Sequence, residues 1–589
     1  MIISTLPKKT LIQQPENLNS KVTKYSHSIT TPQGLGVIGM LVILAVMNYL
    51  SRHSNNKNKI GSSYWGSSKE TSAAVKIAKK QIAAPQCDSA ALYIGKLPDK
   101  KKQEKGRTPF FIPEVQRGTA VIGAPGSGKT FSAINPMVYS AIDQGFPIIL
   151  YDFKYPSQAK IGAYATRMGY KVHVFAPGFP ESEVCNPLDF IRDSTDAETA
   201  RQIATVINKN FKILSNSSED GFFAPAGEQL TQAILMLTKE FGDYADVMTA
   251  AAILSSDQMV HRLMAADLNP WVKIALGQLF SSSAAEKTVA GITATASIMF
   301  TRFMAKNTVG CFVGKTTLPL EIKGKQIIIF GLDRERRDAV GPLLTSVLHM
   351  TITRNIAKKR QDPLIVTLDE LPSLYLPDLF KWLNESRSEG FCGLLGWQNM
   401  GQLEKIYGKD VAKTILGATG TKFVFNPGET ESAQLFSNYL GEEELKTKQK
   451  SKSTGGGKSS TSISEQDKQR KLLDPAQFLK LPPGKCVFIN PGYCNKKEGS
   501  IPLLKAIKVP KFILEIDGFN KNNWDRLISH LMRKSTQRFL TQEDLDLRIQ
   551  AVNEKFPLPQ NNSQPVQNAN IPKPISPANL IIDDWKPLV

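Results

Sequence analysis

Cysteine and histidine are scarce in this chain, six of each among 589 residues. Cys87, Cys185, Cys311, Cys392, Cys486 and Cys494 form no CxxC pair and have no histidines beside them, so neither a zinc site nor a disulfide framework is indicated. A reducing compartment fits. Acidic residues are short too: 53 Asp/Glu face 73 Lys/Arg, a net charge of +20. Residues 1–110 hold +12 of it, with 17 Lys/Arg against 5 Asp/Glu. That balance favours polyanions, either nucleic acid or an acidic membrane face, without choosing between them. The length exceeds what one core holds, so about three or four structural units are expected.

Long apolar runs are missing as well, apart from Gly34 to Leu50, 17 residues without a charge. At about 1.5 Å per residue this run reaches roughly 26 Å, slightly short of a hydrocarbon core of about 30 Å, with Tyr49 and Arg52 suited to the interface. It reads as one membrane span; a buried core helix is the alternative. A cleaved signal peptide fits less well, because more than thirty polar residues precede the run and no small-residue cleavage pattern follows. Arg52, Lys57 and Lys59 follow closely, whereas the nearest upstream cations are Lys24 and Lys21, so the bulk of the chain is expected on the cytoplasmic side.

What the sequence does contain is a phosphate-binding loop. Gly123-Ala124-Pro125-Gly126-Ser127-Gly128-Lys129-Thr130 has the Gly-x4-Gly-Lys-Thr spacing, with the strand-like run Thr119 to Ile122 before it and an apolar helix-compatible stretch after it. Glycines let backbone N–H groups turn toward phosphate oxygens, the following helix aims its positive end at them, and Lys129 adds a mobile cation. Thr130 is expected to hold magnesium through its hydroxyl, which makes ATP and Mg2+ the expected ligands.

Downstream, the pattern alternates between strand and helix. Pro147 to Asp152 reads as a buried strand, Pro156 as the first residue of a helix, and Lys171 to Phe175 as a further strand. Helical periodicity then runs for over a hundred residues before strands return at Lys325 to Phe330 and Pro363 to Glu370. The economical reading is one α/β domain carrying a helical insertion. The run PLIVTLDE ends in Asp369 and Glu370, as a Walker B strand does: Asp369 for the magnesium shell, Glu370 to polarise the attacking water. Cys392 to Trp397 forms another buried strand, and Gln398 at its end is suited to sensing the γ-phosphate.

With these residues in view, Leu368 to Phe425, and above all QNMGQLEKIYGKD at Gln398 to Asp410, closely resembles the TraD/TraG family of type IV secretion coupling proteins, inner-membrane ATPases of conjugative DNA transfer. The resemblance covers roughly residues 108–492. It implies a RecA-like P-loop NTPase with an inserted all-α domain. Lys129 and Thr130 match the family's Walker A, Asp369 and Glu370 its Walker B, and Gln398 its glutamine motif. Arg387 matches an arginine that reaches into a neighbouring subunit's site, which requires a ring. Asp152 and Lys154 stand where the family often has Asp-x-Lys-Gly-Glu, but Tyr155 and Pro156 replace the last two residues, so their role stays open. Relatives commonly have two membrane spans where this sequence shows one.

The expected organisation is a polar segment 1–33, the span 34–50, a basic linker 51–107, the nucleotide-binding domain in two parts at 108–190 and 321–515, the all-α insertion 191–320, and a helical extension with a tail at 516–589. Lys446 to Lys458 reads as a flexible basic surface loop, with pore lining as the alternative. The Pro/Asn/Gln-rich run Pro557 to Ala578 is disordered by composition. Ile581, Ile582 and Trp585 beside Asp583 and Asp584 read either as a docking motif for a relaxosome or accessory protein or as stray apolar residues. By resemblance the protein is a single-pass inner (plasma) membrane homo-hexamer that delivers relaxase-bound single-stranded DNA into a secretion channel. A receptor for protein substrates and a scaffold with an idle nucleotide site are the alternatives.

Overall fold

The computed structural model describes residues 63–97, 109–215, 223–455 and 458–559. The expected span at 34–50, the segment before it and the terminal residues from 560 onward lie outside the described residues. Among the described residues no helix is long and apolar enough to cross a membrane. The chain divides into two units, one holding residues 440–472 together with 1–64, the other holding the rest.

Short strands β1 (Leu92–Ile94) and β2 (Phe110–Ile112) pair antiparallel at the start of the larger unit. Its main sheet comprises β3 (Thr119–Ile122), β4 (Ile148–Asp152), β5 (Lys171–Phe175), β6 (Gln326–Gly331), β7 (Leu364–Leu368), β8 (Phe391–Trp397) and β9 (Thr421–Val424). The hairpin β10 (Glu442–Gly455) and β11 (Lys458–Lys471) belongs to the smaller unit, and β12 (Lys485–Ile489) and β13 (Leu503–Ala506) complete the main sheet. Its order is β13-β12-β9-β3-β8-β7-β4-β6-β5. The seven strands from β9 to β5 run parallel, while β12 and β13 are antiparallel to their neighbours. Every residue of β3, β4, β7 and β8 is buried. Strands covered on both faces must be apolar throughout, which is why these segments read as unbroken hydrophobic runs and not as alternating ones.

Between β5 and β6 the described residues contain helices and no strand. Ala197–Ser215, Phe223–Thr238, Val247–Leu254 and Glu286–Phe303 are the longest of them. The first packs against helix Arg337–Ile356, which is buried on nearly every side. The fold is therefore a mixed α/β domain around a mainly parallel sheet, interrupted by a helical insertion.

Four sequence expectations need correction. The basic linker assigned to 51–107 is folded from Trp65 to 97: helix Ser68–Ala83 and strand β1 pack into the core through Ala74, Ala78, Ala90, Leu92 and Ile94. Its lysines, Lys69, Lys76, Lys79 and Lys80, sit on the exposed face, and the buried stripe is Glu70, Ala74, Ala78 and Gln81, two small and two polar residues that do not register as an apolar period. Pro156 does not open a helix; the helix is Ile161–Arg167. The buried Asp152 carboxylate accepts from the N–H groups of Lys154 (3.0 Å) and Ala159 (2.9 Å), which ties the intervening residues into a loop. The stretch Lys446 to Lys458 is not a loop: Lys446 to Gly455 lie in β10 and Lys458 opens β11. The C-terminal extension begins at Lys511, before the expected 516, and Ile513, Trp524, Leu527 and Leu531 of helix Lys511–Lys534 join the main core.

Candidate nucleotide site

Strand β3 delivers the Gly-rich turn to the carboxyl edge of the sheet. Gly126 and Gly128 take left-handed backbone angles, with φ of 77° and 98°, which a side chain would strain. Lys129–Ile134 then forms a π-helical turn that continues into helix Asn135–Gln144. The Lys129 side chain is buried, and its Nζ donates to the Gly123 carbonyl at 2.5 Å, folding back across the loop. Ser127 Oγ is buried without a partner.

Strand β8 lies between β3 and β7, so the ends of the three strands meet at one edge. Thr130 Oγ1 donates to Asp369 Oδ2 at 2.5 Å, joining residues 239 apart in sequence. The other carboxylate oxygen, Asp369 Oδ1, is buried with no partner among the described residues. Gly396 of β8 permits this approach: a Cβ there would fall 2.3 Å from the Asp369 carbonyl and 2.8 Å from Oδ1. Next in line, Glu370 Oε1 accepts from Gln398 Nε2 at 3.2 Å, and Gln398 Oε1 accepts from Gln402 Nε2 at 3.1 Å.

The charges at this edge are under strain from burial. Desolvation lowers the Lys129 pKa against the pull of Asp369 and Glu370. It raises that of Asp369 against the Thr130 hydrogen bond and the Lys129 charge, and it raises that of Glu370 against Lys129. A buried carboxylate oxygen without a donor beside a lysine held only by a carbonyl suits a missing phosphate–cation pair. Thr130 and Asp369 offer one hydroxyl and one carboxylate, hard oxygen donors of the kind magnesium takes together with phosphate and water.

Gly123 to Thr130, Asp369, Glu370 and Gln398 are thus brought together. Arg387 is not among them. It is exposed in the turn before β8, at the opposite end of a seven-residue strand, about 23 Å along the sheet from the phosphate loop. Two further residues belong to the neighbourhood: Lys154, whose role the sequence left open, and Gln402, which it did not single out. Lys154, exposed after β4, adds positive charge that acts on Lys129, Asp369 and Glu370 together. Gln402 follows Gln398 by four residues, a spacing that would have suggested contact once a helix began at Met400. Asp152, by contrast, shapes the loop carrying Lys154.

Comparison with known proteins agrees with this geometry. The family described as "Type IV secretion-system coupling protein DNA-binding domain" matches residues 102–498, about two thirds of the chain. The chain is 30% identical over 149 residues to coupling protein TraD of Escherichia coli (strain K12), a stretch that is 25% of this chain and 21% of that relative's length. Among solved structures, the unbound bacterial conjugative coupling protein TrwBdeltaN70 superposes with a TM-score of 0.53 at 17% identity, covering 71% of this chain and 96% of that one. TrwB in complex with ADP and Mg2+ gives 0.51 at 17% identity, covering 72% and 94%. At these identities the structural matches establish the shared α/β fold.

Proposed function

The chain belongs to the type IV secretion-system coupling proteins, and on that premise we propose that it is a magnesium-dependent ATPase that delivers DNA into a type IV secretion channel during conjugation. The observation that carries this reading is the contact between Thr130 and Asp369 beside Glu370, which joins the phosphate loop to the acidic strand end as a nucleotide–magnesium site requires. In the bound state Lys129 leaves the Gly123 carbonyl for the β- and γ-phosphates, and the loop N–H groups between Gly123 and Thr130 cradle them. Thr130 and Asp369 would hold magnesium, which would supply charge neutralisation for the phosphates. Glu370, which accepts from Gln398 in this structure, takes the proton of the attacking water; its raised pKa makes it a better base than an exposed glutamate.

Arg387 enters a neighbour's site and not its own, which requires a ring, here a homo-hexamer of RecA-like domains. The run 34–50 anchors the ring in the inner membrane with the described residues on the cytoplasmic side. The cargo is single-stranded DNA with its bound relaxase, and the partners are the relaxosome and the channel proteins. The family's DNA-binding description and the net charge of +20 support this cargo.

The test is ATP hydrolysis by the full chain in detergent, with and without single- and double-stranded DNA, beside Lys129→Ala and Glu370→Gln. DNA-stimulated hydrolysis that both substitutions abolish is the expected result. Hydrolysis indifferent to DNA would overturn the DNA reading in favour of protein cargo. Absent hydrolysis under all conditions would leave only a scaffold.

A further inference from the structure

Beside the nucleotide loop, a cleft of 350 Å³ opens along the carboxyl ends of β4 and β7, with Phe153, Arg337, Glu370, Ser373, Gln402 and Lys405 in its wall. It is large enough for a phosphate and its sugar, and the reaction described above uses only one of these residues, Glu370. Arg337 donates from Nη2 to the Ser373 carbonyl at 3.1 Å, but its Nε is buried and finds no acceptor among the described residues. Its guanidinium lies 5.3 Å from the Phe153 ring centre, and that of Arg334 lies 5.7 Å from the same ring. Lys405 is exposed one turn beyond Gln402 on helix Met400–Tyr407. Two arginines gathered on one aromatic ring, an unsatisfied guanidinium N–H and a nearby lysine together suit an oxyanion with several acceptor oxygens. Asp338 and Glu370 are the opposing charges, so the wall itself holds two carboxylates and two cations, Arg337 and Lys405, and Arg334 adds a third cation from beside the Phe153 ring.

The wall of this cleft is connected to Glu370 by two short hydrogen-bonded paths. Gln402 donates to Gln398, and Gln398 donates to the Glu370 carboxylate. Arg337 donates to the Ser373 carbonyl, and Ser373 Oγ donates to the Glu370 carbonyl at 2.6 Å. We propose that this cleft binds a backbone phosphate of single-stranded nucleic acid through Arg337, Lys405 and Gln402, and that its occupancy sets the position of Glu370. An oxygen that takes the Gln402 amide N–H removes the donor from Gln398. The Gln398 amide is then free to turn away from Glu370 and release its carboxylate toward water. Gln402 is accordingly a positioning residue that acts through Gln398. The proposal rests on the DNA-delivery reading, deepening it from a cargo to a sensor.

The test uses the full chain in detergent with an oligothymidylate strand, comparing wild type with Gln402→Ala and with the exposed, folding-neutral Lys405→Ala. Gln402→Ala is expected to raise hydrolysis without the strand at least threefold and to shrink the stimulation ratio, because Gln398 is released in advance. Loss of structure would lower both rates and could not produce that pattern. Lys405→Ala is expected to weaken strand binding and to reduce the slope of log affinity against log salt by about 0.7, the value for one lost phosphate contact on a single strand. If wild type responds to the strand and both variants respond identically to it, the sensor is overturned while the DNA reading stands. If wild type itself ignores the strand, both fail. If Lys405→Ala changes ring assembly by sedimentation and leaves the salt slope untouched, the cleft belongs to a neighbouring subunit and the proposal is wrong.

Discussion

Asp246 and Arg548 meet in the interior of the larger unit, and Lys129 and Asp369 act on each other electrostatically at the sheet edge, yet the two clusters are built in opposite ways. Asp246 caps helix Val247–Leu254, accepting from the N–H groups of Met248 and Thr249, and also takes Nε and Nη2 of Arg548, the latter at 2.5 Å. Arg548 spends its remaining nitrogen, Nη1, on the Asp544 carbonyl at 2.7 Å. In this way helix Gln542–Lys555 is fastened to the helical insertion, while helix Lys511–Lys534 before it joins the core beside the sheet. At the phosphate loop the charges are left short of partners: among the described residues Asp369 Oδ1 has none, and Lys129 has only a carbonyl. A charge whose donors and acceptors are all met holds structure; one left short costs stability until a ligand arrives.

The contrast breaks first if the nucleotide site proves structural. Glu370→Gln is expected to reduce ATP hydrolysis by roughly 10²–10⁴-fold, the span of general-base contributions. The same variant is expected to melt at a higher temperature than wild type at neutral pH without nucleotide. The folded-state pKa of Glu370 is raised by burial, so its stabilising contribution exists below the ordinary glutamate value and is lost as pH rises through the folded one. At pH 7 the ionised form is a burden that glutamine does not carry. A lower melting temperature, read by calorimetry beside the hydrolysis rate, would place Glu370 among the structural charges.

Arg548→Ala tests the other side. It strands the Asp246 carboxylate in the interior, and removing one partner of a buried pair costs about 3–5 kcal/mol. Chemical denaturation is expected to show that loss. If stability is unchanged, the link between the extension and the insertion has been misread. The combined Asp246→Asn and Arg548→Met variant is expected to recover most of the stability, because the asparagine keeps the helix cap and no charge remains unpaired.

The same division explains what was legible in the sequence. Gly123 to Thr130 works through backbone geometry within eight residues, so its spacing announces it, and the apolar runs of β3, β4, β7 and β8 announce a buried parallel sheet. The insertion was visible as a change of period. Asp246 and Arg548 are 302 residues apart, and no local pattern in either neighbourhood marks them as partners. Gln402 and the cleft arginines likewise gain meaning only from the strand order that places β4 and β7 side by side. The segment ahead of β3 was misread because lysines outnumber large apolar residues there. Leu92 is nevertheless fully buried in the main core. Leu92→Ala is therefore expected to cost about 2–4 kcal/mol in denaturation, where a linker residue would cost nothing measurable.

Between the two plans stands Glu70, a buried charge satisfied entirely by its own turn. Its Oε2 accepts from Ser67 N at 2.7 Å and from Ser67 Oγ at 2.6 Å, closing a capping box at the start of helix Ser68–Ala83. The Ser67 side-chain and backbone bonds hold the Glu70 pKa below its ordinary value, so the stability they provide is present above that value and fades as pH falls through the folded one. Ser67→Ala is accordingly expected to cost about 1 kcal/mol at neutral pH and markedly less in acid, measured by denaturation at both. An equal cost at the two pH values would mean that the hydroxyl matters only to the Lys69 N–H it accepts, with Glu70 no part of the cap. The expected pH dependence would instead show that a buried carboxylate met by a hydroxyl and a backbone donor stabilises the fold, with the Lys69 charge a smaller contribution. It would then be the missing donors, not burial itself, that set Asp369 apart.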